Sequence, residues 1–454
     1  MPGRLPWLSA RVNLIGLALA DAWTMGFIYN IYFFQVSSRW AGLTGSITAA
    51  IFTWLSLSYL MGRYSADTRF RQTSLFKFLR SSLLVGGLLL STTVLTTWIF
   101  NQDDLRIDRG FLIPVIATTV IASTGYQIVL RRRQERVQKW VLIVSQEEMR
   151  ILEQELNLEK SLLNVEVQLL SDRAATNDVL MALPDSYGLA ISDSAILQDE
   201  TIEILLSKRS RGCNIQDLVS WTELYLQRVP PEIFSPRWLV NAEGFRLQPS
   251  RTSWRLKRLG DLSIGVLLLL ATSPIVLASA IAIRLCDGGP VFYKQVRTGL
   301  YGQTFRILKL RTMQVNSESS GPQWACSNDQ RITAVGHWLR KLRIDELPQL
   351  ISVLSGEMSL IGPRPERPEI EQGLEETIPH YRIRHWIRPG LSGWAQVCYR
   401  YGASMSDSRS KLSYDLYYLR NASVLLDILI LLKTIRLIAR AEGSTPRPNT
   451  PQIS

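Results

Sequence analysis

A chain of 454 residues is too long for one compact core on the usual prior of roughly 100–200 residues per domain, and its 46% hydrophobic content is concentrated in a few long uncharged runs, as in a membrane protein with large soluble parts. The balance of 51 basic against 39 acidic residues, net +12, suits anionic headgroups or a phosphorylated substrate as well as nucleic acid, so charge alone selects no partner. Cys213, Cys286, Cys326 and Cys398 lie too far apart for a disulfide framework and read as reduced thiols facing the cytoplasm, while His337, His380 and His385 have no neighbours at zinc-ligand spacing.

Four apolar segments, at about 12–34, 42–62, 82–100 and 111–130, each approach the ~20 residues needed to span hydrocarbon. The first is too long, and too poor in small-residue cleavage signals, for a signal peptide. Arg63, Arg69, Arg71, Lys77 and Arg80 crowd the loop between the second and third, whereas "NQDDLRID" between the third and fourth is rich in aspartate. By the positive-inside rule the basic loop is cytoplasmic. Four spans then return the chain to the cytoplasm at "RRRQER" (Arg131 to Arg136). The sequence therefore predicts a four-helix transmembrane bundle over 1–135 with the remainder cytoplasmic.

Over 136–250, short apolar runs ("WVLIVS", "VEVQLL", "YGLAIS") alternate with helical stretches near 146–160 and 199–210, predicting a small Rossmann-like α/β domain with a parallel sheet. A nucleotide site there requires a glycine-rich turn after the first strand, so that backbone amides can approach phosphate. The turn reads "VSQEEM", which favours a structural or regulatory role.

The next apolar run, 262–283, is long enough to cross a bilayer, but Arg255, Lys257 and Arg258 precede it and Arg284, Lys294 and Arg297 follow it. Both flanks carry the inside signature. A segment with both ends inside must turn back, and Ser273-Pro274 at its centre supplies the break: proline removes a backbone donor, and the serine hydroxyl can satisfy a freed carbonyl. The alternative, a fifth span with an incidental proline, puts everything after residue 285 outside. Near the C-terminus, "SVLLDILILLKTIRLIAR" fits either an interfacial helix on the cytoplasmic leaflet or a buried core helix, and the polar, proline-rich 443–454 is expected to be a disordered tail.

Between these lies "RIDELPQLISVLSGEMS". Asp345 fits a helix N-cap, Pro348 the first turn and Gly356 the helix end. The same placement suits catalysis, because orphan amides keep such a carboxylate ionised and facing a bound anion. "GPRPERPE" holds Arg364 and Arg367 beside Pro365 in a proline-stiffened loop, and Arg297, Lys309 and Arg311 come from a glycine-punctuated, strand-like stretch. Singly, each is an ordinary solvated base. Together with Asp345 and Glu346, a pair able to hold magnesium, they point to a diphosphate substrate.

Residues about 255 to 440 resemble the bacterial sugar transferases called monotopic phosphoglycosyl transferases, or polyprenyl glycosylphosphotransferases. The resemblance is carried by "KRLGDL", Ser273-Pro274, "GGPVFYKQVRTG", "KLRTM", "DQRITAVGHWLRK", "IDELPQLISVLSGEMSLIGPRPE", "RPGLSGWAQV" and "YDLYYL" in that order. The N-terminal half is similar to the long, exopolysaccharide-associated members. The resemblance implies a mixed α/β monotopic catalytic domain over 251–442 with a re-entrant helix at 262–283, on the cytoplasmic face of the bacterial inner membrane. It also implies transfer of a sugar 1-phosphate from a UDP-sugar to polyprenyl (undecaprenyl) phosphate with release of UMP, starting exopolysaccharide synthesis. Asp345 is then the nucleophile forming an acyl phosphate. Glu346 shares Mg2+ with it or orients it; Arg297, Lys309, Arg311, Arg364 and Pro365 serve the phosphates. Expected partners are the UDP-sugar, the lipid phosphate and the bilayer, with no nucleic acid and a homodimer through the N-terminal half. Two departures stand out: Val296-Arg297-Thr298-Gly299 replaces the commoner "ERVG", and Leu310-Arg311-Thr312-Met313 replaces "FRTM", with the arginines kept. The rival from another class is an inactive membrane scaffold or regulator.

Overall fold

The computed structural model describes residues 6–9, 11–64, 75–100, 109–133, 138–159, 165–241, 245, 252–315, 329–399 and 404–439. Arg69 and Arg71, the acidic stretch 101–108, the end of "RRRQER", Cys326 and the expected tail 443–454 lie outside these residues. The chain divides into two compact units, 1–191 with 195–216, and 192–194 with 217–454.

In the first unit, α1 (Val12–Ser37), α2 (Gly45–Leu60), α3 (Leu75–Phe100) and α4 (Arg109–Arg133) follow the four apolar segments. Of these, Val12–Ser37 and Gly110–Leu130 are long and apolar enough to cross a membrane, while Gly45–Leu60 and Phe78–Val94 are shorter apolar helices. Each helix packs on the next and α4 on α1, around a core that includes Tyr29, Trp54, Val85 and Val115. Gly86 permits the approach of α3 to α4, since a Cβ there would lie 2.7 Å from Val120. Buried Asp21 accepts hydrogen bonds from the Tyr64 and Tyr126 hydroxyls, from Ser123 Oγ at 2.5 Å and from Gln127 Nε2 at 3.0 Å. A buried carboxylate is tolerated in an apolar bundle only when it is satisfied in this way.

The same unit holds a four-stranded sheet in the order β2-β1-β3-β4, built from β1 (Gln138–Val144), β2 (Val165–Ser171), β3 (Gly188–Ile191) and β4 (Ile215–Asp217). β1 pairs in parallel with β2 and β3, as the alternation of strands and helices predicts. Gly188 is demanded by packing: a Cβ there would meet the Trp140 ring at 2.5 Å. After β1, a capping box takes the place of a phosphate turn. Ser145 N donates to Glu148 Oε2 at 3.0 Å and Glu148 N to Ser145 Oγ at 3.3 Å, so a carboxylate of the chain sits where a bound anion would.

The main part of the second unit begins at Asp217. α5 (Leu218–Tyr225) buries Trp221, and the turn after it is stitched to the C-terminal part: Val229 N donates to Ser413 O and Trp394 Nε1 to Gln227 O, both at 2.9 Å.

α6 (Thr252–Asp287) contains the long apolar run and qualifies by length and composition as a third candidate span among the described residues. It stays helical through Ser273-Pro274, where a break is expected. Pro274 lacks the amide that would bond the Leu270 carbonyl, and Ser273 Oγ donates to that carbonyl at 2.8 Å instead, so the helix survives. The N-terminal arm of α6 is fastened at three points: Lys257 to Asp427 at 2.8 Å, Arg258 to the Val353 and Leu354 carbonyls at 2.6 and 2.8 Å, and Asp261 Oδ1, accepting from Leu360 N at 3.1 Å. The C-terminal arm packs Val276 and Ile283 onto Leu310 and Leu339. Gly265 still faces Leu354, so about ten residues, some 15 Å of helix, separate the two sets of contacts. Within that interval Val266, Leu267, Leu270 and Ile275 are exposed.

Beyond α6 come the antiparallel hairpin β5 (Phe292–Thr298) and β6 (Thr304–Leu310), α7 (Ala334–Lys341), a 3-10 turn (Ile344–Gln349) leading into α8 (Leu350–Ser355), and β7 (Ser359–Ile361). α9 (Pro368–Thr377), a second 3-10 turn (Tyr381–Trp386), β8 (Gly390–Ser392), α10 (Met405–Asn421) and α11 (Val424–Ala439) complete the unit. α11 buries Leu426 and Ile430 and leaves Leu425, Ile428, Leu432 and Ile435 exposed, combining the core and interfacial readings of its sequence.

Asp21→Ala removes the acceptor that four donors of the bundle share, and of these Gln127 Nε2 keeps a second acceptor in Ser123 Oγ at 3.3 Å. The expected result is a loss of several kcal/mol of stability, read as a lowered unfolding midpoint of the full chain in detergent, with Asp21→Asn retaining part of the loss.

Candidate active site

Alternation along the β5–β6 hairpin puts three bases on one face. Tyr293 lies opposite Lys309 and Arg297 opposite Phe305, so Arg297 and Lys309 project to the same side. Arg311, whose amide extends the pairing to Val291 O at 2.8 Å, follows at the next position of that register. Its buried guanidinium lies on Gly289, where a Cβ would come within 1.9 Å of Nη1.

Below the hairpin, Arg343 adopts a left-handed conformation (φ 55°) that turns the chain from α7 into the 3-10 turn. Asp345 and Glu346 are the second and third residues of that turn and are 8% and 9% exposed. Asp345 is not the N-cap expected of it: no side chain caps either the 3-10 turn or α8. Pro348 does fall within the turn, and Gly356 (φ 90°) does end α8.

The two carboxylates differ sharply in company. Arg364 grips Glu346 with both arms of its fork, Nη2 to Oε1 at 2.5 Å and Nη1 to Oε2 at 3.3 Å. Arg343 and Lys309 stand 3.6 and 3.9 Å from it. Asp345 makes no hydrogen bond or ion pair with any described residue. Burial and then the charge of Glu346 push Asp345 up to about 6, against the pull of Lys309, Arg340 and Arg364. Burial acts on Glu346 in the same direction, but Arg364 and Lys309 prevail and hold it well below the usual carboxylate range. Burial lowers Lys309 to about 8, with Glu346 opposing. The helix terminus therefore does not hold Asp345 charged as expected; the ring of bases keeps it ionised at neutral pH in spite of its burial.

The 363–367 loop that carries Arg364 is held by its own carbonyls. Those of Arg364, Pro365 and Glu366 accept from Arg384 Nη2 at 2.8 Å, Arg297 Nη1 at 3.1 Å and Thr298 N at 3.0 Å. Its base is a crossing of backbones at Gly362, Gly390 and Gly393, where added Cβ atoms would meet main-chain atoms at 2.4, 2.0 and 2.2 Å. The structure thus brings together Asp345, Glu346, Lys309, Arg364, Pro365 and Arg297. Arg367 pairs with Glu369 at 3.7 Å, and Ser273 and Pro274 lie apart in α6. The motif reading missed Arg340 and Arg343, although both sit within five residues of Asp345, and it missed Arg384, which carries no local signal.

The family model described as Bacterial sugar transferase matches residues 252–441. An uncharacterized sugar transferase of Bacillus subtilis, EpsL, is 42% identical over 192 residues, 89% of its length and 41% of this chain. The chain belongs to the bacterial sugar transferase family. Within that family it is 47% identical over 198 residues to a UDP-N-acetylgalactosamine-undecaprenyl-phosphate N-acetylgalactosaminephosphotransferase of Aeromonas hydrophila, covering 44% of this chain and 47% of that protein. It is 39% identical over 188 residues to a UDP-glucose:undecaprenyl-phosphate glucose-1-phosphate transferase of Xanthomonas campestris pv. campestris, covering 40% and 39%. The alignment thus spans less than half of each of these two transferases.

Among the described residues no three His, Cys, Asp or Glu side chains converge as an all-protein metal cage would require. Magnesium commonly takes only one or two carboxylates and completes its shell with waters and substrate phosphates. Asp345 fits that role with both oxygens uncommitted; Glu346 fits less well, because both of its oxygens already hold Arg364.

Carbodiimide coupling, which requires a protonated carboxyl, is expected to label Asp345 increasingly as pH falls through about 6. Read by peptide mass spectrometry, the midpoint should move up in Arg364→Ala, which removes a cation, and down in Glu346→Gln, which removes a like charge.

Proposed function

We propose that this family member transfers a sugar 1-phosphate from a UDP-sugar to polyprenyl phosphate, releases UMP, and passes through a phosphosugar covalently held on Asp345. The observation that carries this reading is the buried carboxylate of Asp345, which has no partner among the described residues and lies beside bases of which Lys309, Arg343 and Arg364 face Glu346. An Asp345 oxygen attacks the β-phosphorus; the bond from that phosphorus to the bridging oxygen breaks, and UMP leaves with the electron pair. An oxygen of the lipid phosphate then attacks the same phosphorus, and the carboxylate departs. Two anions are thereby joined in two steps, neither of which brings both to the phosphorus at once.

Lys309, Arg364 and Arg297 are placed to offset charge on the transferring group, as preorganised cations in a dry site do. Glu346, fixed by Arg364, orients the turn and keeps the bases in register. Mg2+ bound with the diphosphate would be held by Asp345, with Glu346 as a second, weaker ligand, and would supply further charge neutralisation. The names of the related transferases support the undecaprenyl-phosphate acceptor and a UDP-sugar donor. The long N-terminal form supports a role in starting exopolysaccharide synthesis, with the Rossmann-like domain regulatory and the bundle a homodimer contact surface.

We place the four N-terminal helices across the bacterial inner membrane and the catalytic unit on its cytoplasmic face. α6, kinked at Pro274 while remaining helical, enters the leaflet and returns: the ~15 Å between its two sets of contacts is half of the ~30 Å that a crossing requires.

Two experiments test the proposal. Asp345→Asn should abolish UMP release, with no phosphosugar on the protein by intact mass after incubation with a panel of UDP-sugars; retained turnover removes Asp345 as nucleophile. In a cysteine-free background, single cysteines at Leu256 and Phe292 should both react with an impermeant reagent only from the cytoplasmic side, and labelling from opposite sides refutes the re-entrant placement.

A further inference from the structure

Arg384 is 6% exposed and sits in the 3-10 turn Tyr381–Trp386, away from the acidic pair. Its Nη2 donates both to the Arg364 carbonyl at 2.8 Å and to Asp415 Oδ2 at 3.1 Å. Nη1 donates to the Tyr381 hydroxyl and lies 4.0 Å from Glu371. Four separate pieces of chain therefore converge on one buried guanidinium: the 363–367 loop, α9, the 3-10 turn itself and α10.

We propose that Arg384, backed by Asp415, is a positioning residue for the phosphosugar transfer: it holds the Arg364 main chain so that the Arg364 side chain stays on Glu346. This rests on the reaction proposed above. A buried ion pair is costly to assemble and is often no better for stability than an apolar cluster of the same volume, so its stability alone does not account for it. What a guanidinium adds is direction. Its planar fork fixes several acceptors at once, which the single point charge of lysine does not. The target is also specific, because the carbonyl it takes belongs to the residue that grips Glu346. The adjoining carbonyls of Pro365 and Glu366 are taken by Arg297 and by the Thr298 amide, so the loop is pinned from the hairpin on one side and through Arg384 from α10 on the other. α10 is in turn tied to the turn after α5 through Ser413, two residues before Asp415.

The test uses the full chain in detergent, comparing wild type with Arg384→Gln, Arg384→Lys and Asp415→Asn. Amide exchange over 362–367 and at Thr298 is expected to quicken about tenfold or more in Arg384→Gln, with α8 unchanged. kcat for UMP release should fall roughly 10–100-fold, as for loss of a supporting partner behind a site residue, while KM for the UDP-sugar changes less than about threefold. Arg384→Lys should recover only part of the rate, and Asp415→Asn should lie between. Folded variants with wild-type exchange over 362–367, or a rate that falls only with the folded fraction, overturn the proposal. If Arg384→Gln does not fold, Arg384→Lys decides on the same two readouts. A wild-type chain that releases no UMP from any donor overturns the reaction instead, while the exchange data still judge the clamp.

Discussion

The bidentate grip of Arg364 on Glu346 is the contact on which the rest of the catalytic unit depends. Two neighbouring carboxylates withdrawn from water cannot both stay charged without compensation, and the compensation here is unequal. Glu346 takes the arginine fork, with Arg343 and Lys309 close by, and is held ionised. Asp345 receives only the more distant field of the same bases and remains free to make a bond. Environment, rather than residue type, divides the labour between two side chains that adjoin in sequence.

Keeping that grip requires a loop that does not move, and the chain achieves this largely with backbone. Gly362, Gly390 and Gly393 let main chains cross at distances that a Cβ would forbid. The prolines of the loop remove amides that would otherwise need partners, and three consecutive carbonyls are each met by a donor from another element. Because such support comes from atoms that every residue has, the side chains of the loop are left available for chemistry.

Much of this was legible in the sequence, and the reasons differ element by element. The four apolar helices follow from the length of their uncharged runs and the parallel sheet from the alternation of strand-like and helical stretches, and several of the bases that ring the acidic pair come from motifs whose residues lie on adjoining elements. Asp345 as an N-cap was not legible: the left-handed Arg343 converts the start of the helix into a 3-10 turn, and no local pattern announces a positive φ at an arginine. α5 carries no sequence signal that was used, and its buried Trp221 belongs to the second compact unit. At Ser273-Pro274 the reading named both halves of the effect, a lost amide and a rescuing hydroxyl, and the hydroxyl is seen on the Leu270 carbonyl. Arg384 and Asp415 are 31 residues apart, and only the fold makes them neighbours.

Arg258 of the membrane-seeking helix binds the last carbonyls of α8, and α8 is the direct continuation of the turn that bears Asp345. The apolar helix and the Asp345 carboxylate are thus two ends of one linkage. A lipid phosphate does not diffuse freely in depth; the bilayer fixes its height to within a headgroup. On the reaction proposed above, a carboxylate tied in this way to the apolar helix would ride at a set draught, keeping its height relative to the lipid phosphate when the leaflet thins or swells.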